Sequence, residues 1–485
     1  MTTVAAESPT PETPAPESTS LAATLRIMKE AQRKSGAPIY EDRIGSLDAL
    51  ERAIVARKGA IVEAIGRDFG HRSRHESLIA DVFFILSSIK HAKTHLRDWM
   101  EPEEREVGFL FLPATVELRA QPVGVVGIIS AWNYPVSLAL SPLVGVLAAG
   151  NRAMIKPSEL APETAALLRD LVADAFPKEQ VTVVTGGPEV GEEFSRLPFD
   201  HLVFTGSTRV GKLVMKAAAE NLVPVTLELG GKSPTIVGKD FSAHTAAARI
   251  VAGKLFNAGQ TCLAPDYVLV PAAMRDAFVE ACKEAIAKMY PTLEKNEDYT
   301  SIVDDKHYAR LRSYVEDAKT RGARVVELDA AGQDQEAPWG AHKLAPTLVL
   351  DPTDEMLVMT EEIFGPILPI KTYETLDEAI GYVNDRPRPL ALYFFSHDRA
   401  ATEKVLTSTI SGGVTVNDTL LHVLQDDVPF GGIGASGMGA YHGKEGFDSL
   451  TKKKPVFRQA RVNTTGLLRP PYGKMVDRLL KFLIG

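Results

Sequence analysis

Two cysteines occur in the 485-residue chain, and they sit in different surroundings. Cys262 follows Gly259, Gln260 and Thr261, a turn that presents a sulfur at a backbone bend where neighbouring N–H groups stabilise an oxyanion. Cys282 lies in an apolar helical pattern and reads as a small buried hydrophobe. A thiol attacks as its thiolate; a cysteine protease would need a histidine activator, and the eleven histidines show no supporting motif. Leu227 and Leu229 flank Glu228 at the end of an apolar strand, and desolvation would raise its pKa to suit a general base. Asn133 stands inside a stretch, 120–151, that has no charged residue. A buried amide needs partners; it either holds a turn or donates to a developing oxyanion.

Two further segments have the look of a nucleotide site. Residues 204–211 follow a strand and open a helix, with Gly206 and Gly211 permitting a tight turn and helix N–H groups favouring an anion. This is neither the G-x-G-x-x-G fingerprint nor a P-loop, because Leu213 follows Lys212 where Ser or Thr is required. Lys156 and Glu159 flank a Pro-Ser turn just past a strand. A carboxylate there can accept both ribose hydroxyls of an adenosine, with the lysine reaching the same sugar.

Strands are expected over 123–130, 153–156, 181–185, 201–205, 225–228 and Pro234–Val237. Helices are expected over Pro162–Ala175, with Pro at its first turn, and over 212–220. Alternation of this kind predicts a parallel sheet with helices on both faces, and ligands at the carboxyl ends of its strands. The stretch 120–151 reads as a buried strand, a turn at 133–135 and a buried helix, because Pro135, Pro142 and four glycines interrupt any membrane span. A second α/β section runs from about residue 240 to 416 with no flexible linker before it.

The composition is that of an ordinary soluble protein, 45% apolar and 24% charged, with a net charge of −8. It excludes a disulfide scaffold and a cysteine-based zinc site, and nothing points to nucleic acid. Residues 1–20 hold four Pro, five Thr, three Ser and three Glu but no Lys or Arg. That is a disordered tail with neither secretory nor transit character, so the cytoplasm is expected. The segment 452–485 carries nine basic residues against Asp477 and ends in a short amphipathic pattern. Docking on its own domain or on a sister subunit is favoured over a membrane surface.

Seven motifs occur in one order. They are Ala131-Trp132-Asn133-Tyr134-Pro135, Lys156-Pro157-Ser158-Glu159, Phe204-Thr205-Gly206-Ser207 and Glu228-Leu229-Gly230-Gly231-Lys232. Gly259-Gln260-Thr261-Cys262, Glu361-Glu362-Ile363-Phe364-Gly365-Pro366 and Pro429-Phe430-Gly431-Gly432 follow. The set resembles the signature of the NAD(P)-dependent aldehyde dehydrogenase superfamily. The segments 257–267 and 434–443 resemble its class-three-like branch, which includes coniferyl and fatty aldehyde dehydrogenases.

The resemblance implies an α/β fold: a Rossmann-like doubly wound cofactor domain (21–112 and 123–229) packed on a second α/β catalytic domain (230–416). A small β oligomerisation arm (113–122) and a C-terminal segment (417–485) complete it. Cys262 would attack the aldehyde, Asn133 and the Cys262 N–H would hold the oxyanion, and Glu228 would activate water to hydrolyse the thioester. Trp132, Lys156, Glu159, Gly206, Ser207, Thr208, Arg209, Val210, Gly211, Glu362 and Phe364 would contact the cofactor, and Tyr134 the substrate. NAD is expected over NADP, because Glu159 would repel a 2′-phosphate. The expected partners are a small-molecule aldehyde, coniferyl or otherwise aromatic, and a second copy in a homodimer; no metal, nucleic acid or stable membrane insertion is expected. Three alternatives stand beside this: a medium-chain or fatty aldehyde dehydrogenase, a coenzyme A-acylating dehydrogenase, and a non-redox cysteine esterase.

Overall fold

The computed structural model describes residues 20–293, 295–328 and 342–485. The tail expected over 1–20 therefore lies outside the described residues, apart from Ser20. Its hydroxyl caps the helix Leu21–Ser35 by accepting the Ala23 N–H at 3.2 Å, satisfying one of the orphan donors at a helix start.

A six-stranded sheet forms from apolar runs buried on both faces, as parallel strands must be. Its spatial order is Gly437–Met438, Val225–Leu229, His201–Gly206, Val125–Ile129, Arg152–Lys156, Val181–Val183. All neighbours are parallel except Gly437–Met438, which runs antiparallel to Val225–Leu229. Helices Tyr40–Asp68, Phe84–Met100, Ser137–Ala148 and Pro162–Ala175 bury Leu47, Ile54, Ile89, Leu143 and Leu168 with Val126 and Ile128 on one face. On the other face Leu25 and Met28 of Leu21–Ser35 and Val214 of Thr208–Ala219 pack on Val125 and Leu202. Chain order reverses between Val125–Ile129 and His201–Gly206, the switch point that in such sheets marks the crevice for ligands outside the carboxyl ends.

The uncharged stretch folds as expected, into the buried strand Val125–Ile129, a turn, and the buried helix Ser137–Ala148 with Pro142 inside it. No described helix is long and apolar enough to cross a membrane. One strand departs from its expected place. Pro234–Val237, read as closing the first run, joins the second sheet between Tyr267–Pro271 and Ala391–Phe395. The glycines 230 and 231 let the chain turn out of one sheet and into the other within four residues.

That second sheet has seven strands, in the order Arg324–Glu327, Thr347–Leu350, Ile367–Tyr373, Tyr267–Pro271, Pro234–Val237, Ala391–Phe395, Gly413–Val416. Only Arg324–Glu327 is antiparallel to its neighbour. A separate antiparallel sheet joins Glu103–Arg105, Thr115–Pro122 and Thr451–Arg458. The basic terminal helix Lys474–Ile484 buries Val476, whereas Met475, Phe482 and Ile484 are exposed.

Candidate active site

Glu228 stands at the penultimate position of Val225–Leu229, aimed into the crevice and 3% exposed. Neither carboxylate oxygen has a hydrogen-bond partner among the described residues. Burial raises its pKa well above the usual carboxylate range.

Cys262 arrives from the other side. It lies in the loop leading into Tyr267–Pro271, and so at the amino end of the second sheet, not at a carboxyl end as in the first. Its sulfur is half-buried and unpaired. Burial and then the nearby charges of Glu362 and Glu228 push the thiol up to about 12, while the N–H groups of Cys262 and Leu263 pull it down. Two backbone donors therefore face the sulfur, and the resting group is a thiol beside two carboxyls.

The backbone before the cysteine is strained. Asn257, Ala258 and Gly259 take φ of 54°, 50° and 76° in succession, and the two with side chains each cost on the order of 1–2 kcal/mol there. Gly259 has no alternative, because a Cβ would lie 2.3 Å from the Gly365 oxygen. Amides hold the bend. Asn257 Nδ2 donates to the Gln260 oxygen at 3.1 Å, and Gln260 Nε2 donates to the Asn257 and Ser301 oxygens at 3.1 and 2.9 Å. The Val303 N–H donates to Gln260 Oε1 at 3.0 Å.

Asn133 meets this bend directly. It is 3% exposed, and its Nδ2 donates to the Gln260 oxygen at 3.1 Å. An amide nitrogen carries two hydrogens, so one pins Asn133 to the thiol-bearing loop and the second is left for a ligand. The Tyr134 hydroxyl pairs with the Thr261 hydroxyl at 2.5 Å, and its ring stacks on Phe256. Cys262, Glu228 and Asn133, separated by up to 129 residues in the chain, are thus brought near one another.

The elements beside the crevice fit a dinucleotide. Ser207 caps the helix Thr208–Ala219 at the carboxyl end of His201–Gly206, leaving an N-terminus suited to an anion. Gly211 lets that helix approach, since a Cβ would fall 2.6 Å from Leu229 Cδ2. Thr208 Oγ1 donates to the Ala435 oxygen at 3.0 Å, while Ser207 and Arg209 are exposed. Lys156 Nζ meets Glu159 Oε2 at 2.5 Å beyond the adjoining strand.

Across the crevice, Phe364 takes a positive φ of 50° and sets its ring edge-on to Trp132, with centroids 5.4 Å apart. Bulky residues rarely adopt that backbone. The Glu362 carboxyl packs on Gly230, where a Cβ would lie 2.1 Å away. Burial first, then the charge of Asp266, raises it to about 7, against the Gly231 N–H and the charges of Lys232 and Arg310. Lys232, paired with Asp266, donates to the Val358 and Glu361 oxygens at 2.8 Å and ties this segment down.

Four residues of the site escaped the reading of the sequence. Arg72, in the loop before the helix Arg74–Ser77, and Asp81, in the turn Leu78–Phe83, lie far upstream and carry no motif. Asn257 was visible only as a neighbour of the cysteine. The Tyr441 hydroxyl, raised by burial first and then by the charges of Glu228 and Cys262, lies in a segment noted only for its resemblance.

The family model described as "Aldehyde dehydrogenase family" matches residues 4–456. The chain belongs to the aldehyde dehydrogenase family. It is an oxidoreductase acting on aldehydes. This aldehyde dehydrogenase is 51% identical over 463 residues to a "Probable coniferyl aldehyde dehydrogenase" of Caulobacter vibrioides, covering 94% of this chain and 95% of the relative. It is 49% identical over 465 residues to a "Coniferyl aldehyde dehydrogenase" of a Pseudomonas species, covering 96% of each. Among solved structures, the substrate-bound state of AldH from Staphylococcus aureus superposes with a TM-score of 0.89 at 38% identity, covering 95% of this chain and 98% of that one. A mutant of the indole-3-acetaldehyde dehydrogenase AldA of P. syringae, in complex with NAD+ and IAA, matches with a TM-score of 0.81 at 26% identity, covering 90% of this chain and 88% of that one.

Proposed function

We propose that this aldehyde dehydrogenase oxidises coniferyl aldehyde, or another aromatic aldehyde, to its carboxylic acid with NAD. The observation that carries the chemistry is the nearness of Cys262, Glu228 and Asn133 to one another. The names of the relatives at about half identity support the substrate. Neither Glu228 oxygen has a hydrogen-bond partner among the described residues, which leaves the carboxylate to activate water. The sulfur bonds to the aldehyde carbon, and the free hydrogen of Asn133 Nδ2 and the Cys262 N–H hold the oxyanion. When bound, the nicotinamide supplies the two-electron oxidation that turns the thiohemiacetal into a thioester. Glu228 then removes a proton from water, which attacks the thioester and frees the acid.

The cofactor contacts are assigned to Trp132, Lys156, Glu159, Gly206, Ser207, Thr208, Arg209, Val210, Gly211, Glu362 and Phe364, and Tyr134 to the substrate wall. The cofactor unit is 21–112 with 123–229, the catalytic unit 230–416, and the remainder serves assembly. A homodimer is supported by the exposed apolar side chains of Lys474–Ile484 and the exposed edge strand Thr451–Arg458. A reducing compartment such as the cytoplasm suits two unpaired thiols, one of them the nucleophile. The deciding experiment compares kcat/KM for coniferyl aldehyde, benzaldehyde and octanal with NAD. Coniferyl aldehyde should lead, and a lead for octanal would move the enzyme to aliphatic substrates.

A further inference from the structure

A buried ion pair stands behind the oxyanion amide. The side chains of Arg72 and Asp81 are fully buried, with Arg72 Nη2 3.5 Å from Asp81 Oδ2. Asp81 lies in a π-helical turn, Leu78–Phe83, an arrangement that recurs at functional sites. Its other oxygen accepts the N–H groups of Val136 and Ser137 at 3.2 and 3.0 Å. Arg72 Nη1 donates to the backbone oxygen of Asn133 at 2.6 Å, beside Asn257 Nδ2, which donates to the same oxygen at 3.0 Å. The guanidinium also lies over the Tyr134 ring, 4.8 Å from its centre. The pair therefore grips the turn from 133 to 137 at both ends.

Stability alone does not explain this placement. Replacing a buried ion pair by well-packed apolar side chains is often neutral or favourable, and these two charges touch the one turn that carries the amide. We propose that Arg72, held by Asp81, is a positioning residue for the oxyanion amide. It fixes the Asn133 backbone so that one Nδ2 hydrogen stays on the Gln260 oxygen and the other faces the aldehyde oxygen. The inference rests on the role given to Asn133 above. Nη1 makes the hydrogen bond to the turn, while Nη2, without a hydrogen-bond partner among the described residues, faces Asp81 as an ion pair.

The test uses the full-length enzyme as wild type, Arg72→Met, Asn133→Ala and the double variant, with coniferyl aldehyde and saturating NAD. Misplacing a catalytic group by about 1 Å costs on the order of a hundredfold. Arg72→Met should accordingly slow kcat and the rate of the NADH burst by about ten- to a hundredfold. The KM for NAD should not move, because the turn carries no contact assigned to the adenosine or the phosphates. The double variant should be no slower than Asn133→Ala alone, the signature of residues acting as one unit. Wild-type kcat in Arg72→Met, or losses that multiply in the double variant, would overturn the proposal. Wild-type turnover in Asn133→Ala would overturn the reading of Asn133 itself, and the proposal with it. Should Arg72→Met not fold, Arg72→Lys keeps a cation opposite Asp81 and is judged by the same two criteria.

Discussion

Replacing Glu228 by Gln keeps the side-chain shape and removes the proton acceptor. Both carboxylate oxygens lack partners among the described residues, so the amide loses no hydrogen bond there and the fold should persist. A positioned general base contributes about 10²–10⁴ in rate, which at 1.36 kcal/mol per tenfold raises the barrier to hydrolysis by about 3–5 kcal/mol. Thioester formation precedes that step. Stopped-flow absorbance should therefore show a burst of one NADH per subunit, followed by a steady state slowed by that factor. The pH dependence follows the raised pKa: wild-type kcat should climb with pH as Glu228 ionises, above the ordinary carboxylate range, and the Gln variant should lack that rise. Stability moves the other way. The unfolded carboxyl ionises near 4.3 while the folded one holds its proton, so wild type loses stability as pH rises above that value toward the folded pKa. The Tm advantage of the variant should widen over the same interval. Loss of the burst would place Glu228 at thiol activation, and an unchanged kcat would remove it from the chemistry.

Cys282→Ala should keep full activity yet lower stability by about 1–2 kcal/mol, because it opens a small cavity among Val279, Ile286 and Leu348; thermal unfolding and turnover check both. Glu159→Gln should raise kcat/KM for NADP relative to NAD about fivefold, since it removes one half-exposed charge worth on the order of 1 kcal/mol and frees Lys156. His201 and His442 are buried and lowered to about 4. The unfolded forms take up protons first, so each costs up to about 3 kcal/mol as pH falls from about 6.5 to 4. Tm should drop across that window, and His442→Gln should flatten part of the drop without changing Tm above pH 7.

The strands and helices of the first sheet were legible because β-branched runs ended by Gly or Pro leave few choices. Pro162 marks the observed start of its helix, and the turn at 133–135 separates strand from helix as read. Placement between sheets was not legible. Whether Pro234–Val237 pairs with Val225–Leu229 or with Tyr267–Pro271 and Ala391–Phe395 depends on partners far along the chain, and no local pattern encodes that. The same holds for Gly437–Met438, two residues that complete the first sheet. In the site, Cys262, Glu228 and Asn133 stood out because each is a polar group set among apolar or glycine neighbours. Arg72 and Asp81 did not, because charged residues without a motif read as solvated surface until packing buries them. Of the left-handed bend before the cysteine, Gly259 alone gave a sign; Asn257 and Ala258 are forced there by the amides around them.

The most direct measurement is peptide mass spectrometry of the Glu228→Gln enzyme, quenched in acid after mixing with coniferyl aldehyde and NAD. The thioester mechanism places the acyl group of the acid on the peptide containing Cys262, in proportion to the NADH formed. An acyl group on Cys282, or NADH released with Cys262 unmodified, would contradict it.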